Sequence, residues 1–287
     1  MIRVLTAVAV ILFSVSILTS CGPEPVEFTD TNLESAVRMA ISKIEGHIYP
    51  ADLEGLTRLD ISERSIIHLE GLDQCPNITE LIAFSNNITD ISILSSLTNL
   101  TTLELGNNRI YDLTPLSELN KLTTISISSN PVSDLCPLAS LGQLITLVAI
   151  NAEIIDLSPL SELTGMKGLS LMGNEISNIS PLAGMTQLTS LEMNFNKVVD
   201  ISPLANMTQL IQLDMFGGPE YNQIEDISVL AGMLKLRNVH LPNNKIVDIS
   251  PLESLPELRN VLILDNPLSQ ESLDIIDKLR DRGVEVN

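Results

Sequence analysis

The chain has no tryptophan and only five phenylalanines and three tyrosines in 287 residues. A compact core of this size draws much of its bulk from aromatic rings. Their scarcity, beside a hydrophobic fraction of 44%, points to aliphatic packing in one elongated domain. Cysteine is nearly absent, with three residues, which excludes a disulfide framework and a paired-cysteine metal site. Cys75 and Cys136 fall in different columns of the pattern below, so a disulfide between them is not expected. Each reads as a small buried packing group. Basic residues are few, 16 against 36 acids, for a net charge of −20. That balance excludes the positive surface that nucleic acid or an anionic bilayer attracts. No phosphate-binding loop is present either.

What is present is a repeat. Residues 100–119 read LTTLELGNNRIYDLTPLSEL, and the same sentence returns every 22 residues. Rungs begin at Leu56, Ile78, Leu100, Leu122, Leu144, Met166, Leu188, Leu210, Leu236 and Leu258, and only the step from Leu210 to Leu236 is longer, at 26. Counting each start as position 0, apolar residues fall at 0, 3, 5, 10, 13, 16 and 19. Alternation at 3 and 5 is a short strand with one buried face. The later spacing of three fits a tight helical or extended return. A lone rung cannot bury its apolar side, so rungs stack into an α/β solenoid with a parallel sheet on the concave side. At roughly 4.8 Å per strand the slab is about 45–50 Å long.

Polar columns recur as well. Position 8 is asparagine at Asn86, Asn108, Asn130, Asn174, Asn196, Asn244 and Asn266. A buried amide there can serve the backbone of neighbouring turns. Ala152 breaks this ladder, so Ala152→Asn is expected to stabilise the fold. Thr114-Pro115, Ser158-Pro159, Ser180-Pro181, Ser202-Pro203 and Ser250-Pro251 read as a hydroxyl cap before a helix-starting proline; Cys136-Pro137 breaks that cap. The position 12 acids, Asp90, Asp112, Asp134, Asp156, Asp200, Asp226 and Asp248, read as loop caps rather than calcium ligands.

These rungs resemble the 22-residue leucine-rich repeats of bacterial internalins, the same short-repeat class as a eukaryotic protein-phosphatase regulatory subunit. The resemblance covers roughly residues 56–268 and implies the curved right-handed solenoid. Residues 28–55, with a helix capped by Asp30 or Thr31 and carrying Leu33, Val37 and Ile41 on one face, resemble the N-terminal cap of such proteins. Residues 269–287 form a C-terminal cap, with Ser269 before a helix presenting Leu273, Ile276 and Leu279 and a last strand near 284–286. No wall-sorting motif is seen. The insertion within residues 216–222 is expected to bulge at the sheet's edge, with Asn222 in the ladder.

The start of the chain carries a second resemblance. Arg3, an apolar run over residues 4–18 and Leu18-Thr19-Ser20-Cys21 look like the signal and lipobox of bacterial lipoproteins. That implies a signal peptide over 1–20, lipid on Cys21 and a short tether over 21–27. Gly22 in place of aspartate favours the outer membrane or cell surface.

Outward positions beside the strand leucines are where binding could sit. Phe84, Val148, Ile150, Met172, Phe195 and Phe216 fall there, the last five as a diagonal apolar band, and exposed apolar patches mark partner sites. The expected function is a monomeric, membrane-anchored, non-enzymatic module that binds a protein, rather than a glycan, on its concave face. An envelope scaffold without a ligand is the alternative. A third reading uses Glu192, Asp214 and His240, one column on successive rungs, as metal ligands or as acid and base. No nucleophile accompanies them, and neither a metal nor a cofactor is expected.

Overall fold

The structure is a computed structural model and describes residues 23–287. Cys21 and the apolar segment before it lie outside the described residues. Ten three-residue strands follow one per rung: β1 (Arg58–Asp60), β2 (Glu80–Ile82), β3 (Thr102–Glu104), β4 (Thr124–Ser126), β5 (Thr146–Val148), β6 (Gly168–Ser170), β7 (Ser190–Glu192), β8 (Gln212–Asp214), β9 (Asn238–His240) and β10 (Asn260–Leu262). With β11 (Glu285–Val286) they form one 11-stranded parallel sheet in sequence order. The register is constant, position 4 facing position 4, as in Glu192 to Asp214 and Asp214 to His240. Each strand buries its central residue and turns its neighbours outward. This is the leucine-rich repeat solenoid the periodicity predicts.

The interior is the aliphatic lattice of the repeat. Leu100, Leu103, Leu105, Ile110, Leu116 and Leu119 of a single rung are fully buried, each contributing about 1.5–3 kcal/mol of burial. Cys75 occupies position 19 and is buried. The return side is mostly 3-10 helix, as in Thr114–Leu116 and Ser180–Gly184.

The asparagine ladder is as the repeat predicts. Asn196 is fully buried; its Oδ1 accepts from Ile176 N–H at 3.1 Å and its Nδ2 donates to Leu171 O at 2.8 Å and Met193 O at 3.2 Å. Asn222 takes the same place after the insertion, accepting from Val198 N–H and donating to Met193 O. At Ala152 no amide reaches back to Val132. Instead Val132 N–H closes a local turn onto Asn130 O at 2.8 Å, across Pro131. The last rung does the same, Leu268 N–H bonding Asn266 O across Pro267. Proline thus stands where no asparagine follows, because its fixed φ favours a tight turn that satisfies the orphan N–H.

The return helices are capped differently from expectation. The hydroxyl residues are not the caps: Thr114, Cys136, Ser158 and Ser202 each donate their backbone N–H to the acid two residues earlier, at 2.8 Å. An aspartate accepting its i+2 backbone N–H forms its own turn, so the hydroxyl is dispensable and Cys136 breaks nothing. Cys136 is exposed, not buried. A hydrogen bond to Asp134 pushes its thiol above the ordinary range, and burial pushes that of Cys75 up to about 12.

Both ends are covered. At the N-terminus α1 (Thr31–Ala40) is capped by Asp30 and buries Leu33, Ala36 and Val37. Asp30 also accepts from Ile67 and His68 N–H, tying the helix to the first rung. Its desolvation is outweighed by these backbone bonds, so its pKa is lowered. A second short helix, α2 (Pro50–Leu53), precedes β1. The chain before α1 is docked, with Val26 N–H on Ile48 O at 2.7 Å and Val26 and Phe28 packed on the core. Gly71, which replaces a repeat proline, has φ +101° and lies under the Phe28 ring, so a side chain there would collide. At the other end, after the last return turn α3 (Ser250–Glu253), α4 (Gln270–Asp281) starts on Ser269 and buries Ser272, Ile275, Ile276 and Leu279. Leu273, expected on that face, is exposed, because the helix turns its 275/276 pair inward. Among the described residues no helix is long and apolar enough to cross a membrane.

Candidate partner-binding face

The outward face of the sheet is uneven. Position 7, just after each strand, takes the left-handed conformation in most rungs, φ being +58° at Ser85, +56° at Asn107, +54° at Ser129, +71° at Gly173 and +58° at Asn243. Glycine, asparagine and aspartate tolerate that region best, though Glu63 holds it as well, at φ +57°. Phe195 holds it too, at φ +56°. A bulky residue there costs roughly 1–2 kcal/mol, and such strain gathers at functional sites.

Phe195 is held by aromatic neighbours. Its ring meets Phe216 edge-on at 6.1 Å and Tyr221 at 5.3 Å. Phe195 is 38% exposed and Tyr221 45%, while Phe216 is half-buried between rungs. Tyr221 comes from the insertion. Gly217 bridges to Asn222 and leaves no room for a Cβ against Asn243 O and Asn222 O; this closes the extra residues into a loop that carries Tyr221 to Phe195. Asn194 locks the platform to the sheet, accepting from Phe216 N–H at 2.9 Å and donating to Glu192 at 3.2 Å.

The remaining apolar candidates are less prominent. Val148, Ile150 and Met172 lie on the outward face but are half-buried. Phe84 is 45% exposed and lies three rungs before Ile150, over Gly106. It stands apart from the Phe195 cluster.

The polar column is a run of close polar contacts, in which the Asp214–His240 pair is near but not aligned as a hydrogen bond. Asp214, 5% exposed, meets His240 Nδ1 at 2.5 Å through Oδ1 and accepts from Gln212 Nε2 at 2.5 Å through Oδ2. His240 Nε2 lies 2.8 Å from Asn260 Oδ1, and Asn260 Nδ2 donates to Glu285. Glu192 is not part of that run; it accepts from Ser170 Oγ at 2.6 Å and from Asn194. Among the described residues no three His, Cys, Asp or Glu side chains gather as metal ligands. Gln212 holds the Asp214 carboxylate, and Ser170 and Asn194 hold that of Glu192.

A leucine-rich repeat family profile in two copies matches residues 76–118 and 98–140. Among solved structures, the internalin inlF of Listeria monocytogenes is 29% identical, with 93% of this chain covering 92% of that one and a TM-score of 0.64. Internalin C2 (inlC2) of the same organism is 34% identical, with 87% of this chain covering 98% of that one and a TM-score of 0.65. The chain belongs to the internalin-like leucine-rich repeat family. InlJ, also of Listeria monocytogenes, shares the fold at 24% identity, with 84% of this chain covering 56% of that one and a TM-score of 0.69. No curated protein matches this chain by sequence.

Within this internalin-like face, sequence reasoning located Phe195 and Phe216 but missed Tyr221, Asn194 and Asn260. Tyr221 was detectable only as an aromatic inside an insertion. Asn194 and Asn260 sit at outward positions, where the repeat imposes no residue type.

Proposed function

We propose that this protein is a lipid-anchored, non-enzymatic recognition module whose sheet face binds another protein at the bacterial envelope. The observation that carries the reading is Phe195, an aromatic in left-handed backbone whose partners are both aromatic. The left-handed backbone disfavours a ring at that place; a partner favours one. Phe195, Phe216 and Tyr221 make the centre of the site, Val148, Ile150 and Met172 its apolar shoulder, and Phe84 an outlying contact. His240 lies between Asp214, 2.5 Å from Nδ1, and Asn260, 2.8 Å from Nε2, which supports a structural rather than a catalytic part for Asp214 and His240.

The lipobox at Cys21 supports export, removal of residues 1–20 and a diacylglyceryl anchor, with the outer membrane or cell surface as the destination. Residues 28–55 and 269–287 are read as caps on the repeats at 56–268. The test is capture of partners by the full chain against its Phe195→Ala/Phe216→Ala variant. A specific partner should bind the wild type at least about 100-fold more tightly, the usual weight of a central aromatic pair. A partner that binds both equally well moves the site elsewhere. Mass spectrometry of the purified protein should show acylated Cys21 as the first residue; an unmodified Met1 or Cys21 refutes the anchor.

A further inference from the structure

Two glycines face outward on the sheet, and they differ. Gly106 is covered by the chain itself: a Cβ there would lie 3.2 Å from the Phe84 ring. Gly168 is uncovered. Its nearest neighbours are the Thr146 side-chain atoms at 3.5 Å, an ordinary contact, and its backbone is not left-handed. Neither packing nor conformation requires glycine at 168. Its column carries Thr102, Thr124 and Thr146 on the preceding rungs, residues that suit a strand far better. An unneeded glycine inside a strand weakens it and marks a place where something else approaches closely.

Three glutamates of β1 to β10 face outward, and they differ too; Glu104 on β3 pairs with no lysine or arginine among the described residues but lines no part of the trough described below. Glu80 is paired with Arg58 at 2.9 Å. Glu192 has no such partner: among the described residues no lysine or arginine pairs with it. Its orientation is fixed by Ser170 and Asn194, which leave each oxygen a free lone pair. The open glycine and the open glutamate are on adjacent strands. Between them runs a trough of about 290 Å³, lined by Val148, Gly168, Ser170 and Glu192.

We propose that this trough receives a lysine or arginine side chain of the partner, its stem along Val148 and over Gly168 and its charged head on Glu192. The proposal rests on the sheet face being the binding surface, as argued above, and adds the chemistry of the partner. An aliphatic stem ending in a cation matches an apolar wall ending in a carboxylate, and a net charge of −20 steers basic partners toward the face. Asn194 couples the two parts of the site, since the same amide holds Glu192 and the Phe216 backbone.

The experiment is selection of random displayed peptides on the full chain, with counter-selection on Gly168→Thr. That variant restores the residue of the neighbouring rungs, so its melting temperature should equal or exceed wild type. Surviving peptides should carry a lysine or arginine whose replacement abolishes binding, and should weaken at least tenfold on Glu192→Gln. No survivors, survivors without a basic residue, or unchanged affinity for Glu192→Gln would each overturn the proposal. If every peptide selected before the counter-selection loses binding on Phe195→Ala/Phe216→Ala but ignores Gly168→Thr and Glu192→Gln, the trough is sunk and the face stands. If every such peptide is indifferent to all three variants, both are sunk.

Discussion

The rungs beginning at Ile78, Leu100 and Leu122 and those beginning at Leu188 and Leu210 share one interior and two different exteriors. Inside, both stretches stack Leu, Ile or Met at the same positions and hang on the same amide, Asn108 or Asn130 in one and Asn196 or Asn222 in the other. Outside, the first stretch places the polar Ser85, Asn107 and Ser129 at position 7, each in the left-handed turn. The second places Phe195 there and adds a loop bearing Tyr221. Stacking constrains the interior because every rung must fit the next. On the exterior the backbone makes one recurrent demand, the left-handed turn at position 7, and Phe195 is the aromatic placed there.

The largest effect should come from breaking the shared interior. Asn196→Ala removes an acceptor from Ile176 N–H and a donor from Leu171 O and Met193 O. With unsatisfied buried groups costing about 1–3 kcal/mol each, a loss of about 3 kcal/mol is expected in chemical denaturation; a loss under about 1 kcal/mol would show that the ladder is decorative. The converse, Ala152→Asn, should gain less than about 1 kcal/mol, because Val132 N–H is already bonded to Asn130 O. Adding Pro131→Ser should raise that gain, since it frees the N–H for the new amide. A double variant no better than the single would contradict the account of Pro131.

Smaller effects should come from the return side. Hydrogen bonds from Thr114, Cys136, Ser158 and Ser228 hold Asp112, Asp134, Asp156 and Asp226 below the ordinary carboxylate range. Carboxyls depressed on folding stabilise above the unfolded value and lose that contribution as pH falls through the folded one. Melting temperature should therefore hold from neutral pH to about 5 and fall below about 4; replacing the four aspartates together with asparagine should flatten that fall, and an unchanged profile would contradict it. Least of all, the two repeat cysteines should label differently. Maleimide should modify exposed Cys136 in the native protein and reach Cys75 only after unfolding, as read by peptide mapping. Equal labelling would mean that the rung opens.

Much of the fold was legible because the repeat states it many times over. Strand positions, the ladder, Asn222 after the insertion and the helix begun by Ser269 all follow from spacing. The errors fell where one physical choice is repeated with two candidates. An aspartate and a serine or threonine lie two residues apart in most return turns, and the aspartate wins the cap because its side chain reaches the N–H directly. Leu273 and Ile275 compete for the inward face of α4, and the end of the solenoid selects the latter. The site was legible only in part. Phe195 stands out by residue type, but Gly168 becomes informative only when Gly106 is seen under Phe84, and that contact has no signature in the sequence.

The central claim is that Phe195 is retained for a partner rather than for the fold. Thermal unfolding of Phe195→Asn tests it most directly, since asparagine suits the left-handed turn and cannot replace the ring. Relief of roughly 1–2 kcal/mol of strain against loss of two aromatic contacts of about 0.5–1.5 kcal/mol each predicts a melting temperature within a few degrees of wild type. A fall as large as that of Asn196→Ala would contradict the claim and make Phe195 a structural residue.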